Sequence, residues 1–310
     1  KMKKLISFFT ALAIIFSLCG CGAENKNTAS GYTFTDDLGR TVTVSSTDRV
    51  ASLLGSFTDM WLLAGGNVCA SADDAWDDFG LELDSSVENL GSTHKPDKEG
   101  LIAVSPTFVL ASSKLSKHLE MQETLDGMNI PVAYFDVGDF DDYLRVLNIM
   151  TKLTGKSKNY DIYGTQQKDK IDSVIKKHEN DKKQTVLVMR ASAANIRAKN
   201  SDGTMLGGML TDFGCKNIAD SDSMLLENLN IESILLENPD KIFFIETGDD
   251  GIDSIKKAVK DMFDENPLWY NLDAVKNNKV YYMDKALYNL KPNARFAEAY
   301  ENLEKILYEE

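Results

Sequence analysis

An α/β protein laid out as lobe, helix, lobe is what this sequence predicts, and three observations carry the prediction. Strand-like apolar runs alternate with helical patterns up to about residue 155, the pattern of a parallel sheet with covering helices. The stretch 156–182 is mostly polar, with Tyr160, Tyr163, Ile171, Val174 and Ile175 at roughly helical spacing, and reads as one long exposed helix. From QTVLVMR onward the alternation resumes and runs to KVYYMD. The expected bounds are 31–155 for the first lobe, 156–182 for the joining helix and 183–310 for the second lobe.

The chain opens with KMKKLISFFTALAIIFSL, a lysine-rich start ahead of an apolar run from Leu5 to Leu18. That order is the grammar of a secretory signal, and the run is too short for a stable membrane span. LCGC at 18–21 resembles a lipobox. The resemblance implies a signal peptide over 1–20, cleavage before Cys21, a diacylglycerol on the Cys21 sulfur, and a polar tether over 21–30. Cys19 and Cys21 are then no metal pair, because cleavage separates them.

YTFTDDLGRTVTV alternates around Asp37, Leu38 and Gly39 and reads as a hairpin. RVASLLGSFTDMWLLAGG reads as a buried strand at Val50–Leu53, a loop at Gly55, Ser56 and Phe57, and a helix closed by Gly65 and Gly66. LIAVSPTFVLAS gives a helix end, a proline turn and a strand ending near Ala111. HLEMQETLDGMNIPVAYFD gives an exposed helix carrying His118, a glycine stop and a further strand. NARFAEAYENLEKILYE is an amphipathic closing helix. An internal repeat links the halves. EGLIAVSPTFVLAS from Glu99 and ESILLENPDKIFFIET from Glu232 each place an apolar helical turn, then proline seven residues after the Glu, then a buried strand.

The formal net charge is −14, and losing Lys1, Lys3 and Lys4 with the signal makes it more negative. Such a surface repels phosphate backbones and disfavours nucleic acid as a partner. Cys69 and Cys215 lie far apart and read as free, buried residues. The three histidines, His94, His118 and His178, do not supply the cluster that a bare zinc or manganese ion needs, and His178 reads as solvated. No G-x-G-x-x-G, P-loop lysine, G-x-S-x-G elbow or H-E-x-x-H is present, which weighs against an enzyme.

Over residues 31–308 the order and spacing of several segments resemble a known family. They include FTDDLGRTVTV, LGSTHKPDKEGLIAVSPTFVLAS, NIESILLENPDKIFF, PLWYNLDAVKNNKVYYMD and KPNARFAEAYENLEKILY. The sequence resembles a lipoprotein solute-binding subunit of an ABC importer, of the class that binds iron-siderophores, heme or cobalamin. The resemblance implies two Rossmann-like lobes bridged by a single long α-helix, with ligand in the cleft between them. It implies no cofactor and no catalysis, only capture of an iron complex (siderophore or heme) and delivery to a permease and its ATPase. It also implies a place on the outer face of the cell membrane through the lipid anchor. Cobalamin is the alternative cargo. A surface adhesion lipoprotein or an enzyme is the alternative class.

In that family a Glu atop each lobe engages permease arginines; the matching residues are Glu99 and Glu232. Ligands of open α/β sheets sit beyond the carboxyl ends of the strands. That rule points to Ser56, Phe57, Ser113, Arg190 and Thr247. Further cations are Lys114, Arg197 and Lys291, and further aromatic walls are Trp76 and Tyr288; Trp61 and Trp269 read as structural. His94, five residues before Glu99, matches the place of a methionine iron ligand in heme-binding members, and is the expected axial ligand if the cargo is heme. Thr247 stands where those proteins carry a second axial histidine, with Tyr288 or Met205 as substitutes.

Overall fold

The computed structural model describes residues 31–248 and 250–309. The signal, the Cys21 anchor and the tether expected over 1–30 lie outside the described residues. The hairpin is formed by β1 (Tyr32–Thr35) and β2 (Thr41–Val44), paired antiparallel. Its alternation puts Phe34, Val42 and Val44 into the core, while the hydroxyls of Thr33 and Thr43 meet at 2.9 Å on the exposed face. Buried Asp36 fixes the turn by pairing with Arg40 at 2.7 Å.

The first sheet is built from β3 (Val50–Ser52), β4 (Val68–Ser71), β5 (Glu88–Asn89), β6 (Phe108–Ser112) and β7 (Val132–Phe135). All pairs are parallel, in the order β5-β4-β3-β6-β7. β6 and β7 are buried throughout, which is why they read as unbroken apolar runs rather than alternating ones. The helices between these strands are α1 (Gly55–Leu63), α2 (Asp74–Asp77), α3 (Lys98–Ala103), α4 (Ser116–Leu119) and α5 (Gln122–Gly127). α6 (Phe140–Thr154) follows β7 and ends at Gly155, whose φ of 69° turns the chain left-handed.

The joining helix runs from α7 (Ser157–Tyr160) through a π-turn at Asp161–Thr165 into α8 (Gln166–Lys177). Ile171 and Val174 are its buried residues in α8, against a polar remainder. Helix ends at Lys177, so the stretch to residue 182 is not helical.

The second sheet comprises β8 (Thr185–Ala191), β9 (Ile196–Ala198), β10 (Lys216–Asn217), β11 (Lys241–Glu246) and β12 (Val280–Met283), in the order β10-β8-β11-β12, with β9 antiparallel on β8. Its helices are α9 (Met205–Asp212), α10 (Ser223–Glu227), α11 (Ile231–Glu237), α12 (Ile252–Glu265) and α13 (Asp273–Lys276). With β5 and β9 set aside, the first strand of each sheet lies between the second and third, and the fourth follows the third. The halves therefore share one topology of the Rossmann-like kind. Beyond Met283 the chain leaves this sheet: α14 (Lys285–Tyr288) and a 3-10 turn at Asn293–Arg295 reach α1 and α2, and α15 (Phe296–Tyr308) packs on α8. Trp61 and Trp269 are core residues. Cys69 and Cys215 are free but only half-buried.

His178 is not solvated. Its ring stacks on Tyr308 at 3.7 Å and meets Asp181 at 2.6 Å and Glu304 at 2.9 Å. Burial opposes its charge, but these two carboxylates outweigh that and raise its pKa above the ordinary 6.5. A raised value adds stability that is full below pH 6.5 and is lost as pH climbs through the folded value. His178→Gln is expected to remove this slope, worth about 1 kcal/mol or less because solvent screens the pair. Urea midpoints at mildly acidic and mildly alkaline pH check it.

Candidate functional site

The loops after β3, β6 and β7 converge at the carboxyl edge of the first sheet. They enclose a cleft of about 240 Å³ lined by Leu54, Thr93, His94, Ser112, Lys114, Leu115, Phe135, Asp136, Val137 and Lys291. Three residues expected from sequence, His94, Lys114 and Lys291, thus come together. Ser112 lines the cleft in place of the expected Ser113, whose amide bonds the Phe135 carbonyl at 3.0 Å.

His118 holds this rim in place. It is fully buried, not on an exposed helix face. The Ser112 amide donates to its Nδ1 at 3.0 Å, and its Nε2 donates to the Thr93 carbonyl at 2.9 Å. An amide only donates and a carbonyl only accepts, so the backbone dictates the neutral tautomer. Burial lowers its pKa to about 4, against the Thr93 bond, which favours the charged form. Sequence reasoning missed it because α4 spans only four residues and both partners are backbone atoms.

Lys114 pairs with Asp136 at 3.0 Å and is largely exposed. Lys291 is different: its ammonium lies 5.9 Å from the Phe57 ring centroid, and burial pulls its pKa below the ordinary value while Asp136 and Asp74 oppose. Asp74 was not anticipated. Burial lifts its pKa to about 6, although the Gly55 amide donates to it at 2.7 Å.

In the second half, Arg190 of β8 stands directly opposite Arg197 of β9. Opposed residues of an antiparallel pair share a face, so both arginines rise from the same face of this strand pair. Arg190 donates from Nη2 to the Gly203 carbonyl at 3.3 Å, while its buried Nε has no partner. Among the described residues it forms no ion pair, and burial lowers its pKa. Arg197 is exposed, with Nε donating to Asn195 Oδ1 at 3.2 Å. Thr247 donates its hydroxyl to the Ala191 carbonyl at 3.0 Å.

Four expected contacts are withdrawn by burial. Gly55 starts α1 rather than a loop, so Ser56 and Phe57 are sealed in its first turn, at 3% and 0% exposure. Met205 packs into the core. Tyr288 is buried too, its hydroxyl donating to the Ala299 carbonyl at 3.0 Å. Trp76 remains half-buried on α2.

Glu99 and Glu232 occupy matching places. Each is the second residue of its helix, α3 or α11, and each donates its amide to the capping side chain two residues earlier, Asp97 at 3.0 Å and Asn230 at 2.9 Å. Each helix leads into the strand beside the first strand of its sheet. Both carboxylates are exposed. A larger crevice of about 590 Å³, unsuspected from sequence, lies between α6, α8, α9 and α15 and carries seven aspartates in its lining, Asp139, Asp172 and Asp212 among them.

Known proteins with this arrangement can be compared directly. The family model described as "Periplasmic binding protein" matches residues 50–287. The iron-uptake system-binding protein of Bacillus subtilis (strain 168) is 25% identical over 293 residues, covering 90% of each chain. The crystal structure of S. aureus IsdE complexed with heme superposes with a TM-score of 0.68 at 18% identity, over 84% of this chain and 98% of that one. Staphylococcus aureus SirA complexed with staphyloferrin B gives 0.64 at 22% identity, over 90% and 97%. These relatives are binding proteins, not enzymes, and their two-lobed fold is the one described above. The chain belongs to the periplasmic binding protein family.

Proposed function

We propose that this protein is the extracytoplasmic substrate-binding subunit of an ABC importer that captures an iron complex and hands it to a membrane permease. The observation that carries the reading is the set of basic side chains at the two sheets: Lys114 and Lys291 line one cleft with His94, and Arg190 and Arg197 lie on neighbouring strands of the second sheet. Relatives named for iron uptake and heme uptake support it. Glu99 and Glu232 would dock the permease, since paired carboxylates at equivalent places set register on a basic surface. Cys21 would carry the lipid that keeps the protein beside its transporter; no helix among the described residues is long and apolar enough to cross a membrane.

Cations with few exposed aromatic walls favour an oxygen-rich ferric chelate. Heme is the second reading, favoured by His94 at the cleft rim. Against it, Tyr288 and Met205 are buried and offer no second axial ligand. Absorbance titration with hemin, a ferric hydroxamate and cobalamin tests the reading. A ferric complex is expected to saturate the site. A Soret band that disappears in His94→Ala would move the cargo to heme, and binding of cobalamin alone would sink the iron reading.

A further inference from the structure

The segment after β12 is where the second half of the chain reaches into the first. Lys285 pairs with Asp78 of the loop after α2 at 2.6 Å. Asn293 donates from Nδ2 to the Ser56 carbonyl at 3.0 Å and to Asp59 at 2.7 Å. Asn293 is wholly buried with φ of 52°, a left-handed conformation that asparagine accepts more readily than other side-chain-bearing residues. These attachments bracket Lys291 and hold it over Phe57, so the cleft of the first sheet receives a cation from a segment more than 150 residues beyond its own last strand.

That cation has no ion-pair partner among the described residues. Among the described residues Lys291 forms no ion pair and no hydrogen bond, although Asp74 and Asp136 are near enough to act on its charge. Asp136 is already held by Lys114, and Asp74 by the Gly55 amide. Lys291 also lines a second cleft of about 220 Å³, together with Asp59, Asp78 and Arg295. A desolvated, unpaired ammonium is costly, and an incoming anion relieves that cost. The chain as a whole carries −14, so an acidic cargo meets general repulsion and needs a local cation to hold it.

We propose that Lys291 is a specificity-determining ligand contact, taking a carboxylate or phenolate oxygen of an anionic ferric complex seated in this cleft beside His94. The proposal rests on the iron-uptake reading and narrows its cargo to acidic chelates. Lys114 is exposed and paired, and is a weaker candidate for the same role.

Ferric citrate, an anionic complex, and ferrichrome, a neutral trihydroxamate complex, are titrated against wild type, Lys291→Met and Lys291→Arg, with thermal melting to verify folding. Lys291→Met is expected to weaken ferric citrate about tenfold to a hundredfold, the scale of one charge-assisted hydrogen bond, and to leave any ferrichrome binding within about twofold. Lys291→Arg restores most of the loss. An equal loss for both complexes, no loss for ferric citrate, or wild-type binding of ferrichrome alone overturns the Lys291 assignment and leaves the iron reading standing. Wild type that binds neither complex overturns the chelate reading and this assignment together.

Discussion

Cells carrying Glu99→Ala and Glu232→Ala together are expected to import none of the iron complex, while the purified variant binds it within about twofold of wild type, since rim charges set docking rather than the ligand site. Each Glu sits in a first helical turn, where the helix dipole favours a carboxylate, and its amide is already satisfied by Asp97 or Asn230. Neither side chain is needed for the local fold, and among the described residues neither forms an ion pair. A crossover helix in a parallel sheet starts at the carboxyl edge, so both acids sit on the edge that carries the ligand loops. Two unpaired carboxylates at equivalent places would match a two-fold arrangement of basic groups on a permease, as the proposed docking requires. Single variants should retain partial uptake, and raising ionic strength should weaken docking. Wild-type uptake in the double variant would mean that the acids serve only their helices.

The second large effect concerns His118. His118→Ala should destabilise the protein by about 3–5 kcal/mol, because it leaves a cavity and strands the Ser112 amide and the Thr93 carbonyl without partners. The pH dependence has a definite sign. An unfolded histidine protonates near pH 6.5, whereas folded His118 stays neutral to about 4. Between those values the unfolded state binds more protons, so stability falls as pH falls, by about 3 kcal/mol across the window. Asp74, raised to about 6 by burial, works in the opposite direction, so the effect is read as a difference from His118→Gln. Denaturant titrations of both proteins from pH 7 to pH 4 check it. Identical slopes would show that His118 does not carry the acid sensitivity. The same variant should loosen the Thr93–His94 loop and weaken ligand binding.

The parallel sheets were legible because strands buried on both faces leave unbroken apolar runs, as in FVLAS and VAYF. The repeat at Glu99 and Glu232 was legible for the same reason, since each half must solve the same packing problem. What the sequence hid was set by contacts between distant residues. Gly55 and Ser56 look like a loop, yet Gly55 opens α1, and a Cβ there would lie 2.5 Å from the Ala75 amide nitrogen, so its smallness serves close packing on α2. Tyr288 looked like a wall until the Ala299 carbonyl claimed its hydroxyl. His178 looked solvated, but α15 returns to place Glu304 and Tyr308 against it. Lys291 was recognisable as a cation, whereas its seat beside the first sheet depends on Asn293 reaching Ser56 across 237 residues.

Under the proposed reading a ferric complex is held by the basic loops of the two sheets. The most direct measurement is retention of radioactive iron by the purified protein on a size-exclusion column, with ferric citrate, ferrichrome and hemin offered separately. Ferric citrate is expected to be retained saturably, one per chain, and to be released without a lower melting temperature when Lys291 and Arg190 are together replaced by methionine. Iron that passes through unretained in every case, or retention that the double replacement leaves unchanged, would contradict it.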